Sequence, residues 1–143
     1  MADFTGKLAL VVDDEPDAVA FMSRILENNG FKTYSANNGN EAFERVKEQK
    51  PDIVFLDLMM PEESGMQFIH NIKKSENYKN IPIIIVSGAS EETGVDMKEL
   101  LFDDAVIEMK KEELGIDTKP DGLVEKPVNP EELIAIIEKV LSS

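Results

Sequence analysis

The stretch "VFLDLMMPEESGMQF", residues 54–68, decides the fold. Val54, Phe55 and Leu56 form an apolar run of strand character, and Asp57 closes it. Leu58-Met59-Met60 and then Pro61 follow. A carboxylate at the end of a buried run is costly unless it is paired or holds a cation. The chain therefore places Asp57 where it has a partner or a task.

Outward from this stretch, apolar runs alternate with segments of helical periodicity. Strands are predicted at 7–12, 31–36, 52–56, 81–87 and 122–125. Helices are predicted at 16–29, 37–50, 65–75 and 129–141. In the first helix Ala18, Phe21, Met22, Ile25 and Leu26 recur at the spacing of one helical face. Pro16 suits a first turn, and Asn28-Asn29-Gly30 is a helix stop. Continuously apolar strands separated by amphipathic helices imply a parallel sheet covered on both faces. The fold class is α/β, a doubly wound five-stranded parallel sheet. At 143 residues it reads as one domain spanning 1–143, with its core between about 7 and 141.

Composition narrows the function classes. An apolar content of 42% excludes wholesale disorder. The absence of cysteine excludes disulfides, thiolate metal sites and cysteine nucleophiles. A net charge of −14 argues against nucleic acid or an anionic membrane as a direct partner. The apolar run near the N-terminus is far too short for a signal peptide or a membrane span, so a cytoplasmic protein is the expectation.

In doubly wound sheets, ligands bind at the carboxyl ends of the strands. The first strand ends on Asp13, Asp14 and Glu15, the third on Asp57, the fourth on Ser87-Gly88, and the fifth on Glu125-Lys126-Pro127. If these strands are neighbours, the carboxylates converge. Two carboxylates about 4 Å apart repel by about 4 kcal/mol at an effective dielectric near 20. Such a cluster takes up protons or holds a cation, and hard oxygen ligands suit Mg²⁺. A carboxylate beside bound Mg²⁺ can attack phosphorus, while an ammonium and a hydroxyl stabilise the transferring oxygens.

These residues resemble those of the bacterial response-regulator receiver domain of two-component signalling, over about Lys7 to Leu141. The acidic pair Asp13-Asp14, the pattern Asp57-x-x-Met60-Pro61-x-x-x-Gly65, Ser87 and Lys126-Pro127 carry the resemblance. It implies a flavodoxin-like receiver fold in which Asp57 is the phosphoacceptor. Asp14, Asp57 and the Met59 backbone carbonyl would ligate Mg²⁺, with Asp13 acting through water. Ser87 and Lys126 would contact the phosphoryl group. The partners implied are a sensor histidine kinase or histidine phosphotransfer protein and an output protein, the receiver standing alone as a monomer or weak dimer. It would not be an enzyme beyond its own phosphorylation and slow dephosphorylation.

Two features depart from the family pattern. Ser87 and Lys126 stand further apart than in a typical receiver, implying an extended segment within 91–121. Met97, Leu100, Leu101, Ala105, Val106 and Met109 there imply an apolar helical face, expected to form or flank the output surface. Leu123 takes the place where receivers often carry an aromatic switch residue.

Other readings stand beside the favoured one. Asp13-Asp14-Glu15 also reads as an N-cap with first-turn acids. His70, the sole histidine, reads as a surface or packing residue rather than a phosphodonor, and 110–113 as a solvated helix face. A phosphorylation-independent interaction module would keep the fold without the chemistry. A haloacid-dehalogenase-type phosphotransferase would need an Asp-x-Asp motif after the first strand, where this chain has Asp-Asp-Glu-Pro. A flavodoxin-like cofactor binder would need a hydroxyl- and Gly-rich phosphate loop in place of these acids.

Overall fold

A computed structural model describes residues 4–57, 64–87, 103–115 and 119–142. Five strands form one parallel sheet in the order β2-β1-β3-β4-β5. They are β1 (Leu8–Val12), β2 (Lys32–Ala36), β3 (Ile53–Asp57), β4 (Ile83–Ser87) and β5 (Gly122–Glu125). The helices are α1 (Pro16–Asn28), α2 (Gly39–Glu48), α3 (Ser64–Lys73), α4 (Asp104–Leu114) and α5 (Pro130–Leu141). The doubly wound parallel sheet read from the sequence is therefore the observed one. Among the described residues no helix is long and apolar enough to cross a membrane.

The strand alternation divides the interior in two. Ala9, Val11, Ile53, Phe55, Ile84, Val86 and Val124 face one side, with Met22, Ile25 and Leu26 of α1 and Leu133 and Ile137 of α5. Leu10, Val12, Val54, Leu56, Ile83 and Ile85 face the other, with Ala42 and Val46 of α2 and Phe68, Ile69 and Ile72 of α3. Full burial of each such large side chain contributes about 1.5–3 kcal/mol. The three central strands are thus buried on both faces, which is why they read as unbroken apolar runs.

Local signals set the ends of the helices. Asn38 caps α2 by accepting from the Glu41 N–H, and Asn129 caps α5 by accepting from Glu131 and Glu132. At the end of α1, the Phe31 N–H donates to the Leu26 carbonyl and the Gly30 N–H to the Glu27 carbonyl. That paired return is a Schellman closure, and Gly30 at φ 102° supplies the left-handed residue it needs.

The structure corrects three details. Asp57 belongs to β3 as its last residue, opposite Val86, rather than following the strand. Phe21 shares its helical spacing with core residues yet is 49% exposed, because α1 leaves that part of its surface uncovered. In α4, Ala105 and Met109 are exposed and Ile107 is buried, so the apolar face lies elsewhere than the spacing implied. Asp103 caps this helix through the Ala105 and Val106 N–H groups, and left-handed Gly115 ends it. Within the proposed extension across 91–121, residues 91–102 and 116–118 lie outside the described residues, and with them Met97, Leu100 and Leu101. Leu123 is partly buried against the α2–α3 side of the core. His70 is half-buried, and Lys111, Glu112 and Glu113 of α4 are exposed.

Candidate functional site

The order of the strands reverses between β1 and β3, which opens a crevice at their carboxyl ends. Asp13 follows β1 directly and Asp57 ends β3, so the two carboxyl groups come to the mouth of that crevice. Asp13, Asp14 and Asp57 each offer a carboxylate oxygen within 4.8 Å of the others. Asp13 and Asp57 are buried and Asp14 is exposed.

Lys126 follows β5 and reaches across β4 into the same place. Its Nζ lies 3.2 Å from Asp13 Oδ2 and 3.4 Å from Asp57 Oδ2. The Asp57 side chain is only 2% exposed, and a buried carboxylate of this kind requires such a partner. Burial alone would lower the pKa of the ammonium. Asp57 and then Asp13 outweigh that effect by charge and hydrogen bonding, and hold the pKa above its ordinary 10.5.

Asp13 has a second engagement. Its Oδ1 accepts the Glu15 N–H at 2.9 Å, and its own N–H donates to the Ala36 carbonyl. This turn leads the chain from β1 into α1, where Pro16 occupies the first turn. The N-cap of α1 is Glu15, with no side-chain capping bond, so Asp13 does not cap the helix; its bond to the Glu15 N–H closes a turn ahead of it. Asp14 points to solvent and is the more accessible of the pair.

The sequence placed Asp13, Asp14, Asp57 and Lys126 in one site, and the structure brings these four together. Ser87 ends β4 with its backbone opposite Glu125, one residue before Lys126. Met59 lies outside the described residues. The sequence did not reveal an open cavity of about 310 Å³ beside the acids, with Glu15, Phe21, Met22, Pro127 and Val128 in its wall. Exposed Phe21 is its one visible trace, and periodicity alone assigned that ring to the core.

The donor set is chemically selective. Three carboxylates in reach of one point offer hard oxygen ligands, fitting Mg²⁺ better than soft metals. A single ammonium offsets only part of that negative charge. The arrangement can therefore hold a divalent cation and an anionic group together, with Lys126 facing the anion.

Comparison with known proteins agrees with this geometry. The family model for the response regulator receiver domain matches residues 9–138. The phosphate regulon transcriptional regulatory protein PhoB of Escherichia coli (strain K12) is 32% identical over 92% of this chain and 50% of its own length. The chain thus spans about half the length of that relative. Protein Rrf1 of Nitratidesulfovibrio vulgaris is 29% identical over 94% of this chain and 82% of its own. The structure of chemotaxis protein CheY4 of Vibrio cholerae superposes with a TM-score of 0.71 at 22% identity, covering 94% of this chain and 98% of that one. At that identity the likeness shows the fold alone.

Proposed function

Because the chain belongs to the response regulator receiver domain family, we propose that it accepts a phosphoryl group on Asp57 from a phosphohistidine partner. The observation that carries this reading is the buried Asp57 carboxylate, held 3.4 Å from the Lys126 ammonium within a three-carboxylate cluster.

In the proposed step, an Asp57 carboxylate oxygen attacks the phosphorus of the donor. The new P–O bond forms as the donor's P–N bond breaks, and the imidazole leaves and takes up a proton. Bound Mg²⁺ would neutralise charge on the phosphoryl oxygens. Asp13, Asp14 and Asp57 would hold it, Asp13 through water, with the Met59 carbonyl as a further ligand. Lys126, already facing Asp57, would stabilise charge on the transferred group, and the Ser87 hydroxyl would contact it. Residues 91–121 would form or flank the output surface. The cavity beside Phe21 leaves room for a donor to approach.

Relatives named as transcriptional regulators are matched over about half their length. The net charge of −14 argues against direct binding of nucleic acid by these residues, so their output is assigned to a protein partner. The partners proposed are a histidine kinase or phosphotransfer protein and an output protein.

Incubation with acetyl phosphate and Mg²⁺, read by intact mass, tests the reading. One phosphoryl group should be gained, and Asp57→Asn should abolish the gain. A mass shift that persists in Asp57→Asn would move the acceptor elsewhere. No shift in the folded wild type would favour the phosphorylation-independent module. Turnover of an exogenous phosphoester would favour a phosphotransferase.

A further inference from the structure

We infer that Asp121 is a positioning residue for Lys126, acting by fixing the register of the short strand that carries it. The inference rests on the reading of Lys126 as the cation facing the phosphoryl site.

β5 has only four residues and pairs with one neighbour, β4. Its first residue, Gly122, has no side chain to pack, and Val124 alone is buried. Short, Gly-containing edge strands specify their register weakly. A slip of one residue would move the chain by about 3.3 Å and turn each side chain to the opposite face. The Lys126 ammonium would then leave its places 3.2 Å from Asp13 and 3.4 Å from Asp57.

Asp121 stands where such a slip would begin. Its N–H donates to the Ile83 carbonyl at 2.8 Å, and its Oδ2 accepts the Ile83 N–H at 2.8 Å. One residue thus closes both bonds of the first rung. Lys73, at the end of α3, brings its Nζ within 3.9 Å of the same oxygen, and its side chain is only 13% exposed. From this rung the register runs Ile84↔Gly122, Ile85↔Leu123, Val86↔Val124 and Ser87↔Glu125. Lys126 is the next residue.

The molecule contains its own control. Asp52, just before β3, donates its N–H to the Leu8 carbonyl at 2.8 Å and accepts the Leu8 N–H on Oδ2 at 2.8 Å. Asp52 precedes Asp57 by the same interval at which Asp121 precedes Lys126. The same device therefore stands ahead of both charged partners of the site. The difference is that β3 is paired on both sides, with β1 and β4. Two neighbours hold the register of β3 without Asp52. Among the described residues β5 has no second neighbour in the sheet, and the first rung has to hold it.

The test uses the full chain and acetyl phosphate with Mg²⁺, both saturating, under conditions where circular dichroism shows each variant folded. Asp121→Ala should lower the maximal rate of phosphoryl uptake on the order of tenfold, since small misplacements of a reacting group are costly. Asp121→Asn keeps an acceptor oxygen and should restore a rate close to wild type. Asp52→Ala should melt earlier yet keep the wild-type rate. In a Lys126→Ala background, Asp121→Ala should have no further effect, because the two residues act as one unit. An unchanged maximal rate in Asp121→Ala, or an effect that adds in full to that of Lys126→Ala, overturns the inference.

If the wild type takes up no phosphoryl group, the proposed function falls and the register is judged directly. NOE contacts of the Lys126 side chain with Asp13, and of Val86 with Val124, should disappear or shift in Asp121→Ala. Their retention overturns the inference on its own.

Discussion

Asp13 holds the Lys126 ammonium at 3.2 Å, slightly closer than Asp57 does at 3.4 Å. One cation thus sits on two of the three carboxylates that would ligand a metal. A divalent cation at this site would compete with the lysine for the same negative charge, although the proposed function gives the lysine a part in the phosphoryl chemistry.

That competition has a sign. Lys126→Met should raise Mg²⁺ affinity while slowing phosphoryl uptake. A bare pair of charges at this separation interacts by about 4 kcal/mol at a surface-like dielectric. Movement of the lysine toward solvent when the metal binds reduces the net effect to about 1 kcal/mol, or about fivefold in affinity. Calorimetric titration of both proteins with Mg²⁺ checks it, and weaker binding in Lys126→Met would contradict it.

The same contact predicts an alkaline limit to stability. Asp57 and Asp13 hold the Lys126 pKa above its ordinary 10.5 against the opposing effect of burial. The folded state therefore binds this proton more tightly than the unfolded state. Its contribution is complete below pH 10.5 and is lost as pH rises through the higher folded value. Urea melts from pH 9 upward should show a fall in stability that is smaller in Lys126→Met.

Tyr34 adds a second alkaline component that can be separated from the first. Burial raises its pKa from 10.0 to about 12, with Arg45 opposing and Glu48 assisting. Its hydroxyl donates to the Gln49 carbonyl, tying β2 to the end of α2. The neutral phenol is the folded form, so this component is complete below pH 10 and is lost between pH 10 and about 12. Absorbance titration should show a phenolate forming near pH 12 that is missing in Tyr34→Phe.

The sequence displayed the features that burial and charge make costly. Unbroken apolar runs required a sheet covered on both faces. A carboxylate ending such a run required a partner, which led to Asp13, Asp14 and Lys126. It hid what depends on which neighbour covers which surface. Phe21 has the spacing of a core residue, but nothing in α1 itself tells that this turn borders an open cavity. Asp52 reads only as the first residue of a strand and Asp121 only as the end of the 91–121 segment, because a side chain that closes a strand's first rung leaves no periodic trace. In α4 the apolar residues allow more than one face, and packing buries the one that carries Ile107.

Gly30 offers a sharp test of the link between α1 and β2. It adopts φ 102°, and a Cβ there would lie 2.7 Å from the Thr5 nitrogen. Both the left-handed backbone and this backbone contact oppose a side chain. Gly6, at φ 86°, has nothing within 4 Å of such a Cβ, so only the backbone term applies. Gly6→Ala should cost about 1 kcal/mol, and Gly30→Ala at least about 1–2 kcal/mol more. Paired denaturation curves check the difference, and equal losses would place Thr5 away from Gly30.

Asp13 and Asp14 are adjacent acids with separate roles. Asp13 is buried with Oδ1 on the Glu15 N–H and Oδ2 on Lys126, so its removal strands a backbone donor and leaves the ammonium with Asp57 as its carboxylate partner. Asp13→Ala should therefore destabilise the fold by about 2–4 kcal/mol. Asp14 is exposed and contributes mainly negative charge to a crowded cluster. Asp14→Asn relieves repulsion and should leave the metal-free protein as stable as wild type or up to about 1 kcal/mol more so. Its cost should appear in metal binding, as a loss of Mg²⁺ affinity of about tenfold or more, since the carboxylate proposed as a direct ligand is removed. Thermal melts with and without Mg²⁺ distinguish the two acids. Mg²⁺ should raise the melting temperature of wild type and leave that of Asp14→Asn nearly unchanged. A Mg²⁺ shift in Asp14→Asn equal to that of wild type would remove Asp14 from the metal site.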